Sequence, residues 1–206
     1  TISDSWDQIL SNIDNGTYAT KYQVGQMKPI DFGTEGVVNM QIVAFDTDDK
    51  ADGSGKAPVT FVAKELLNTY KRMNPNKESG VEGTGAIGGW EKSEMRQYLN
   101  DTIKPLIPAE IRNRIVSVTK TQPAYDTSDN RFTQTTTDDI WIPSQDEVKD
   151  NGTYSTFFTG SNARKKYKLG STSASNWWLR SANGAIGFHF VSNYGGVNYS
   201  GAYNEI

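Results

Sequence analysis

Cysteine is absent from this sequence, and histidine occurs only once, as His189. The lack of cysteine excludes disulfides, thiolate metal ligands and cysteine nucleophiles, and it leaves the redox compartment undetermined. His189 lies in a run of aromatic residues with no serine or cysteine motif of a nucleophilic enzyme around it. We therefore expect no catalytic residues, no cofactor and no enzyme activity. Paired carboxylates for glycoside hydrolysis stay open, because their separation is spatial.

Long apolar runs are also missing. No stretch approaches the ~18 apolar residues that span a bilayer, so we expect no membrane insertion. Residues 1–4 show neither the basic nor the apolar part of a secretion signal, so any such signal would lie outside this sequence. The net charge of -3 and the lack of a polybasic tract argue against binding to nucleic acid or to an anionic membrane.

The length of 206 residues and the lack of a repeat or linker predict a single domain, residues 1–206. Short helical and strand patterns alternate irregularly, which predicts an α+β fold with two or three helices on small, twisted antiparallel sheets. Ser5 and Gln8 form a capping box that predicts a helix ending near Asn15-Gly16, and Ser144 with Glu147 forms a second box. Strand patterns cover parts of residues 22–46, most strongly 37–45, and also residues 59–63 and 140–142.

The middle of the chain carries the other predicted helices. The strand at residues 59–63 runs into a helical pattern through Leu66, Leu67 and Tyr70, and residues 74–89 form a glycine-rich loop. Residues 90–103 predict the strongest helix. Its apolar stripe is Met95, Leu99 and Ile103. Pro108 begins another helix. The stripe of that helix is Ile111, Ile115 and Val118.

The last thirty residues differ in composition from the rest. Residues 183–204 contain no Lys, Arg, Asp or Glu, and 14 of these 22 residues are Tyr, Ser, Gly or Asn. Tyrosine offers large amphipathic contact area at low entropic cost, and Ser, Gly and Asn adapt their hydrogen bonds, so antibody paratopes use the same residues. Three short strand patterns, at 177–180, 187–191 and 196–199, predict hairpins. The plain alternative is that these residues only build the hairpins.

Strand alternation assigns the faces of the 187–191 run. With Val191 and Val197 inward, Phe188 and Phe190 would face outward or towards a neighbouring loop. We predict that the ligand-binding residues are Asn183, Ile186, Phe188, His189, Phe190, Asn193, Tyr194, Asn198, Tyr199 and Tyr203.

The order of motifs resembles a family of bacterial and phage domains with a C-type-lectin-like fold, catalogued as a domain of unknown function. The match covers nearly the whole chain, and its most specific part is Trp177-Trp178-Leu179-Arg180-Ser181 with the hairpin behind it. Such domains usually continue with a Gly-Val-Arg-Pro strand, and this sequence stops at Glu205-Ile206. The other matching segments are Ser5–Asp7, Met40–Phe45, Gly88–Arg96, Trp141–Ser144, Phe190-Val191 and Gly196–Asn198.

The same fold is similar to the variable proteins of diversity-generating retroelements, found in phage tail tips and bacterial surface proteins. There, mutagenic reverse transcription changes adenine-containing codons, mostly of Asn and Tyr, near the C-terminus. The resemblance implies a possibly hypervariable binding segment at about 176–206 and a protein or glycan ligand on a cell surface. It also implies an extracellular location, on a bacterial surface or a virion. A structural domain of a virion or fibre and a glycan-binding module remain as alternatives.

The sequence does not support several other kinds of binding site. Asp46, Asp48, Asp49 and Asp52 suggest Ca²⁺, but Lys50 occupies a ligand position and no Glu follows at the required distance, so a solvated acidic loop is favoured and no metal is expected. The Trp-Asn-Asp and Glu-Pro-Asn signatures of calcium-dependent lectins are missing. The five tryptophans are interpreted as core residues, and Arg180 as the partner of a buried carboxylate or carbonyl.

Overall fold

The computed structural model describes residues 1–76 and 80–206. It confirms an α+β fold in which short helices surround small, mostly antiparallel sheets. The strands are β1 (Met27–Asp31), β2 (Val37–Phe45), β3 (Val59–Ala63), β4 (Glu65–Leu66), β5 (Val118–Tyr125), β6 (Arg131–Asp138), β7 (Lys166–Lys168), β8 (Ala174–Ser175), β9 (Trp177–Asn183), β10 (Gly187–Val191) and β11 (Val197–Gly201). The α-helices are α1 (Trp6–Asp14), α2 (Tyr18–Lys21), α3 (Glu94–Tyr98), α4 (Ala109–Arg112), α5 (Gln145–Val148) and α6 (Gly160–Arg164).

The strands form four small sheets. Two of them have three antiparallel strands, in the orders β1-β2-β3 and β11-β10-β9. A third has the order β4-β7-β8, with β4 and β7 parallel, and β5 pairs with β6 as a hairpin. In each three-stranded antiparallel sheet, the described residues pair both edge strands on one side only.

Both predicted capping boxes are confirmed. Ser5 Oγ accepts from the Gln8 N–H, while the Gln8 side chain accepts from the Ser5 N–H, and α1 ends at Asp14 with Asn15 as its C-cap, close to the expected end. Ser144 and Glu147 do the same at the start of α5. These reciprocal bonds satisfy N–H groups that have no partner within the helix.

Several predicted elements are wrong in extent or kind. The helix at 90–103 begins only after its cap at Ser93, and it continues beyond α3 as a π-helical turn, Leu99–Ile103. Residues 67–76 form no helix after β4, residues 140–142 form no strand, and Val118 begins β5 instead of ending a helix. The predicted loop at 74–89 is irregular where it is described, and its residues 77–79 lie outside the described residues.

Three groups of buried side chains hold these elements together. The main core gathers residues from β1, β2, α3, β9 and β10; the second core contains β2, α5, β9 and β10; the third packs α1 on β2. The main core comprises Ile30, Phe32, Val38, Met73, Ala86, Trp90, Met95, Leu99, Ile103, Ile107, Trp178, Ala182, Phe188 and Ala202. The second core comprises Val43, Ala44, Val148, Tyr154, Phe158, Trp177, Leu179 and Val191, and the third Ile2, Ile9, Tyr22 and Ile42.

Candidate functional site

The predicted ligand-binding residues lie on the C-terminal sheet β9-β10-β11, in its turns or, for Tyr203, just after β11, and the two faces of the sheet meet different surroundings. One face places Phe188 and Phe190 beside Trp178 and Ala182, and it packs on the main core. On the other face Val191 packs with Trp177 in the second core. Both faces of β10 are therefore covered at this end of the sheet.

This arrangement corrects the prediction for Phe188. Its ring is completely buried in the main core, with 0% exposure, and Phe190 contacts Trp178 edge-to-face with ring centroids 6.2 Å apart. The prediction assumed that one face of β10 would meet solvent, but the main core covers one face and the second core covers the other. The pairing also contains a bulge in β9, where three residues lie between Trp178 and Ala182 and β10 has only His189, but the alternation along β10 is unchanged.

Exposure picks out a smaller set of the predicted residues. Tyr194 is 78% exposed, Tyr199 68% and Ile186 56%. Asn193 and Asn198 are also exposed, whereas Asn183, His189 and Tyr203 are partly buried. We call Asn193, Tyr194, Asn198 and Tyr199 the tyrosine–asparagine surface; the first two lie in the turn before β11, and Asn198 and Tyr199 point to opposite faces of this edge strand. Ile186 lies apart from it, in the turn at the other end of β10.

The backbone beneath the tyrosine–asparagine surface is fixed by bonds to the rest of the domain. Arg164 donates from Nε to the carbonyl of Gly195 at 2.9 Å, and Asp150 holds the same guanidinium at 2.8 Å. The N–H of Asn193 donates to Oδ1 of Asn176 at 2.9 Å. The turn between β10 and β11 is thereby anchored on α6 and on the residue before β9, while the Tyr194 ring projects into solvent.

His189 lies opposite Tyr199 on adjacent strands. Its Nδ1 is 3.1 Å from the carbonyl oxygen of Ser181, and because a carbonyl only accepts, Nδ1 carries the proton and donates. Burial lowers the pKa of His189 below its usual value, although the Ser181 carbonyl opposes the shift. The imidazole therefore stays neutral near pH 7 and acts as a packed neighbour of Tyr199.

A buried charge network lies behind the sheet, and Arg180 is its centre. Its guanidinium binds both oxygens of Glu147, at 2.6 and 2.8 Å, and Nε donates to Gln122 at 2.8 Å. This confirms the expected carboxylate partner. Lys120 joins the network through Asp48 at 2.5 Å and Glu147 at 2.9 Å. Two cations thus balance two anions, and no charge in this network lacks a counterion.

The same contacts explain the acidic loop. Asp48 is buried against Lys120, Asp46 accepts from the Tyr18 hydroxyl at 2.5 Å, and Asp49 pairs with Lys56 at 2.7 Å. Each of these carboxylates therefore has a different partner. Among residues 1–76 and 80–206 there is no group of three or more His, Cys, Asp or Glu side chains that could hold a metal ion. Asp48 is not solvated as expected, because Lys120 draws it inward.

Sequence reasoning did not find Lys120, Gln122 and Tyr154 as members of this network. Lys120 and Gln122 occupy alternate, inward positions of β5, where a strand usually carries apolar residues. Because both side chains are polar, a search for alternating apolar residues misses this strand. The tryptophans behave as predicted, since Trp90, Trp177 and Trp178 are buried and Trp6 and Trp141 are partly buried.

No described helix has the length and apolar character needed to cross a bilayer. Neither a curated protein nor a solved structure matches the chain. A family model described as "Domain of unknown function (DUF6273)" matches residues 59–206, which include the whole C-terminal sheet and Lys120, Glu147 and Arg180 of the charge network. The chain therefore belongs to the DUF6273 family.

Proposed function

We propose that this protein is a non-enzymatic binding protein and that the tyrosine–asparagine surface contacts its ligand. The observation that carries the proposal is the contrast within the C-terminal sheet. Tyr194 and Tyr199 project from a backbone that Arg164 and Asn176 hold in place, whereas Phe188 supports the core beneath them. A preordered backbone lowers the entropic cost of binding, and exposed tyrosines are frequent in interface hot spots.

A ligand on a cell surface, either protein or glycan, fits this surface. The surface has no charged side chain of its own, so we expect contact through aromatic area and amide hydrogen bonds. We further propose that the scaffold is C-type-lectin-like, as the resemblance implies, and that the protein acts outside the cell or on a virion. In this proposal the charge network is structural, because each of its ions is already paired.

Replacing Tyr194 and Tyr199 together by alanine tests the proposal. The probes are a printed glycan array, with and without Ca²⁺, and labelled intact bacterial cells measured by flow cytometry. We expect wild-type binding to at least one probe and a tenfold or greater loss in the double variant, because truncating a hot-spot residue costs ≥ ~2 kcal/mol. The melting temperature should stay nearly unchanged, since both rings are mostly exposed.

Two controls make the result specific. Tyr167→Ala removes an exposed tyrosine outside the C-terminal sheet and should leave binding unchanged. Phe188→Ala should lower stability by about 3–5 kcal/mol, as expected for a buried aromatic side chain. If the double variant binds every probe as well as wild type does, the tyrosine–asparagine surface is not the binding site.

We also propose that this surface is diversified, because its four residues are of the two types whose codons the resemblance implies are rewritten. Near-identical DNA copies beside a reverse-transcriptase gene should then differ at adenines in the codons of Asn193, Tyr194, Asn198 and Tyr199. The codon of Phe188 should stay constant, because the core needs its ring. Variation spread evenly over core and surface codons would contradict this.

Assembly into a virion or fibre is a second candidate, favoured by the position of β11. It is an edge strand that exposes Tyr199, and unpaired strand edges invite pairing with another chain. Sedimentation distinguishes the two, because a stable oligomer that is lost in Tyr199→Ala would favour assembly.

A further inference from the structure

A lysine and an aspartate meet in the interior of the domain, within the charge network behind the C-terminal sheet. Nζ of Lys120, on β5, lies 2.5 Å from Oδ1 of Asp48, which follows β2. Their side chains are only 3% and 4% exposed. By contrast, Lys104 and Asp139 form a pair whose side chains are 30% and 27% exposed. The Lys120–Asp48 pair is therefore held away from solvent.

Aromatic rings cover the amine of this pair. Nζ of Lys120 lies 4.1 Å from the centre of the Trp141 ring and 5.4 Å from that of the Tyr154 ring. Burial removes hydration from an ammonium and a carboxylate, so it lowers the cost of forming the neutral amine and carboxylic acid. A proton that moves along the hydrogen bond from Lys120 to Asp48 produces this neutral pair. The neutral amine is a nucleophile.

Two hydroxyl groups bind the carboxyl group of Asp48. Its Oδ2 accepts from the Thr60 hydroxyl and from the Tyr154 hydroxyl, the latter at 3.0 Å. Burial and the neighbouring carboxylates raise the pKa of Tyr154, so its phenol keeps its proton and remains a donor. Donors on one oxygen stabilise the negative charge that develops there when a nucleophile attacks the carboxyl carbon.

Glu147 holds the nitrogen of Lys120 in place. Its Oε1 accepts from Nζ at 2.9 Å, and Arg180 binds both oxygens of the same carboxylate. An amine, a carboxyl group with two donors and a second carboxylate therefore meet in one buried site. Fixed positions of this kind remove most of the entropic cost of bringing an amine and an acid together.

We propose that Lys120 and Asp48 condense to form an intramolecular isopeptide bond. Nζ attacks Cγ of Asp48, a C–N bond forms, and the bond from Cγ to Oδ1 breaks. Two of the three ammonium protons leave with Oδ1 as water, and the third stays on the amide nitrogen. The reaction needs no oxidant, nucleotide or other co-reactant. Glu147, at the nitrogen, and Tyr154, at the carboxyl group, are its catalytic residues.

The product satisfies the same hydrogen-bond partners. The amide oxygen accepts from Thr60 and Tyr154, and the amide N–H donates to Glu147. One cation and one anion disappear together, so Arg180 and Glu147 remain as a balanced pair. The bond joins positions 72 residues apart, and it stabilises the fold as a disulfide does, by restricting the unfolded chain. It is independent of the tyrosine–asparagine surface, so either proposal can fail alone.

Intact-mass spectrometry of the purified, denatured protein tests the proposal. We expect the mass to be lower than that calculated from the sequence by one water molecule. Lys120→Met and Asp48→Ala should each show the full calculated mass of the variant. Lys104→Met is the matched control, because it removes a lysine from a partly exposed pair, and it should retain the loss of water.

Trypsin digestion of the denatured wild-type protein locates the bond, even if the variants at the site fail to fold. Residues 22–50 and 115–131 should be recovered as one branched peptide that is not cleaved at Lys120. An unchanged mass after prolonged incubation of the folded protein at neutral pH would overturn the proposal. So would a loss of water confined to residues 51–56, because it would indicate a succinimide at Asp52-Gly53.

Tyr154→Phe tests the catalytic role of the phenol, because it keeps the ring and removes the donor to Asp48. In timed cell-free synthesis, its cross-link should accumulate at least about tenfold more slowly than in wild type, since loss of one donor to a developing oxyanion slows catalysis by ~10²–10³. Circular dichroism checks that the variant folds. Equal rates in a folded variant would contradict the role of Tyr154.

Discussion

Arg180 and Glu147 form a buried ion pair in this domain. Both side chains are almost fully buried, and the guanidinium binds the carboxylate through two parallel hydrogen bonds. Burial by itself raises the pKa of Glu147, but Arg180 and Lys120 outweigh it and lower the pKa from 4.5 to about 2. The carboxylate is therefore ionised in the folded state at pH values above about 2.

This pKa shift predicts acid sensitivity. The folded pKa lies below the unfolded one, so the pair's full contribution is present above pH 4.5 and is lost as the pH falls towards 2. We expect the free energy of unfolding to fall by about 3 kcal/mol over this range from Glu147 alone. Urea unfolding at several pH values measures it.

The double variant Arg180→Met/Glu147→Gln is the matched control, because it removes both charges and keeps similar volumes. Its unfolding free energy should depend less on pH between 4.5 and 2 than that of wild type. Arg180→Met alone should cost about 3–5 kcal/mol at neutral pH, since it breaks a buried pair from one side. If Arg180→Met were as stable as the double variant, the buried Glu147 carboxylate would not need Arg180 as its counterion.

At the scale of elements, the turn between β10 and β11 sets the position of Tyr194. Gly195 has φ +83°, and a Cβ there would lie 1.8 Å from the carbonyl oxygen of Ser161. Gly184, in the turn between β9 and β10, has φ +74° but no heavy atom within 4 Å of a Cβ. The two glycines thus share a left-handed backbone and differ in the space around them.

Alanine substitutions at Gly184 and Gly195 distinguish the cost of a left-handed backbone from the cost of a steric clash. Gly184→Ala should cost about 1–2 kcal/mol, the usual penalty for a left-handed non-glycine residue. Gly195→Ala should cost clearly more and should weaken ligand binding by the tyrosine–asparagine surface, because Ser161 must move away. Thermal unfolding and the probe binding described above measure both effects. Equal losses of stability would contradict the close approach seen at Ser161.

The hairpin β5–β6 shows why one whole element escaped prediction. Its inward positions carry many polar side chains, so the sequence lacks the apolar alternation that indicates a strand. Some of these side chains bond to each other within the hairpin, as Thr136 does to Asp138 at 2.6 Å. Others need distant partners: Asp138 accepts from Trp90 Nε1 at 3.2 Å and from Arg96 at 2.7 Å. The buried polar residues of the hairpin are Lys120, Gln122, Gln134, Thr136 and Asp138.

Considered as a whole molecule, the domain has cores that share strands. Strand β2 contributes to all three, through Val38, Val43 and Ile42, and β9 contributes to two. Because losing one core removes support from the others, we expect a single cooperative unfolding transition. Tryptophan fluorescence, which reports on several cores, and far-ultraviolet circular dichroism should give the same midpoint. Two separated transitions would show that the cores are independent.

Local signals were sufficient for the elements whose causes are local. The two capping boxes, the strands at 37–45 and 59–63 and the C-terminal hairpins follow from neighbouring residues, and so does the buried stripe of Met95, Leu99 and Ile103. The charge-free, tyrosine- and asparagine-rich composition of residues 183–204 is likewise a property of the sequence alone.

What only the tertiary structure decided is which side of each element meets a partner. The sequence gives β10 an alternation of side chains but no indication that cores cover both faces, and so Phe188 is buried while Tyr199 is exposed. Asp48 and Lys120 meet across 72 residues. Periodicity is a property of neighbours along the chain, whereas burial depends on what the rest of the chain places against them.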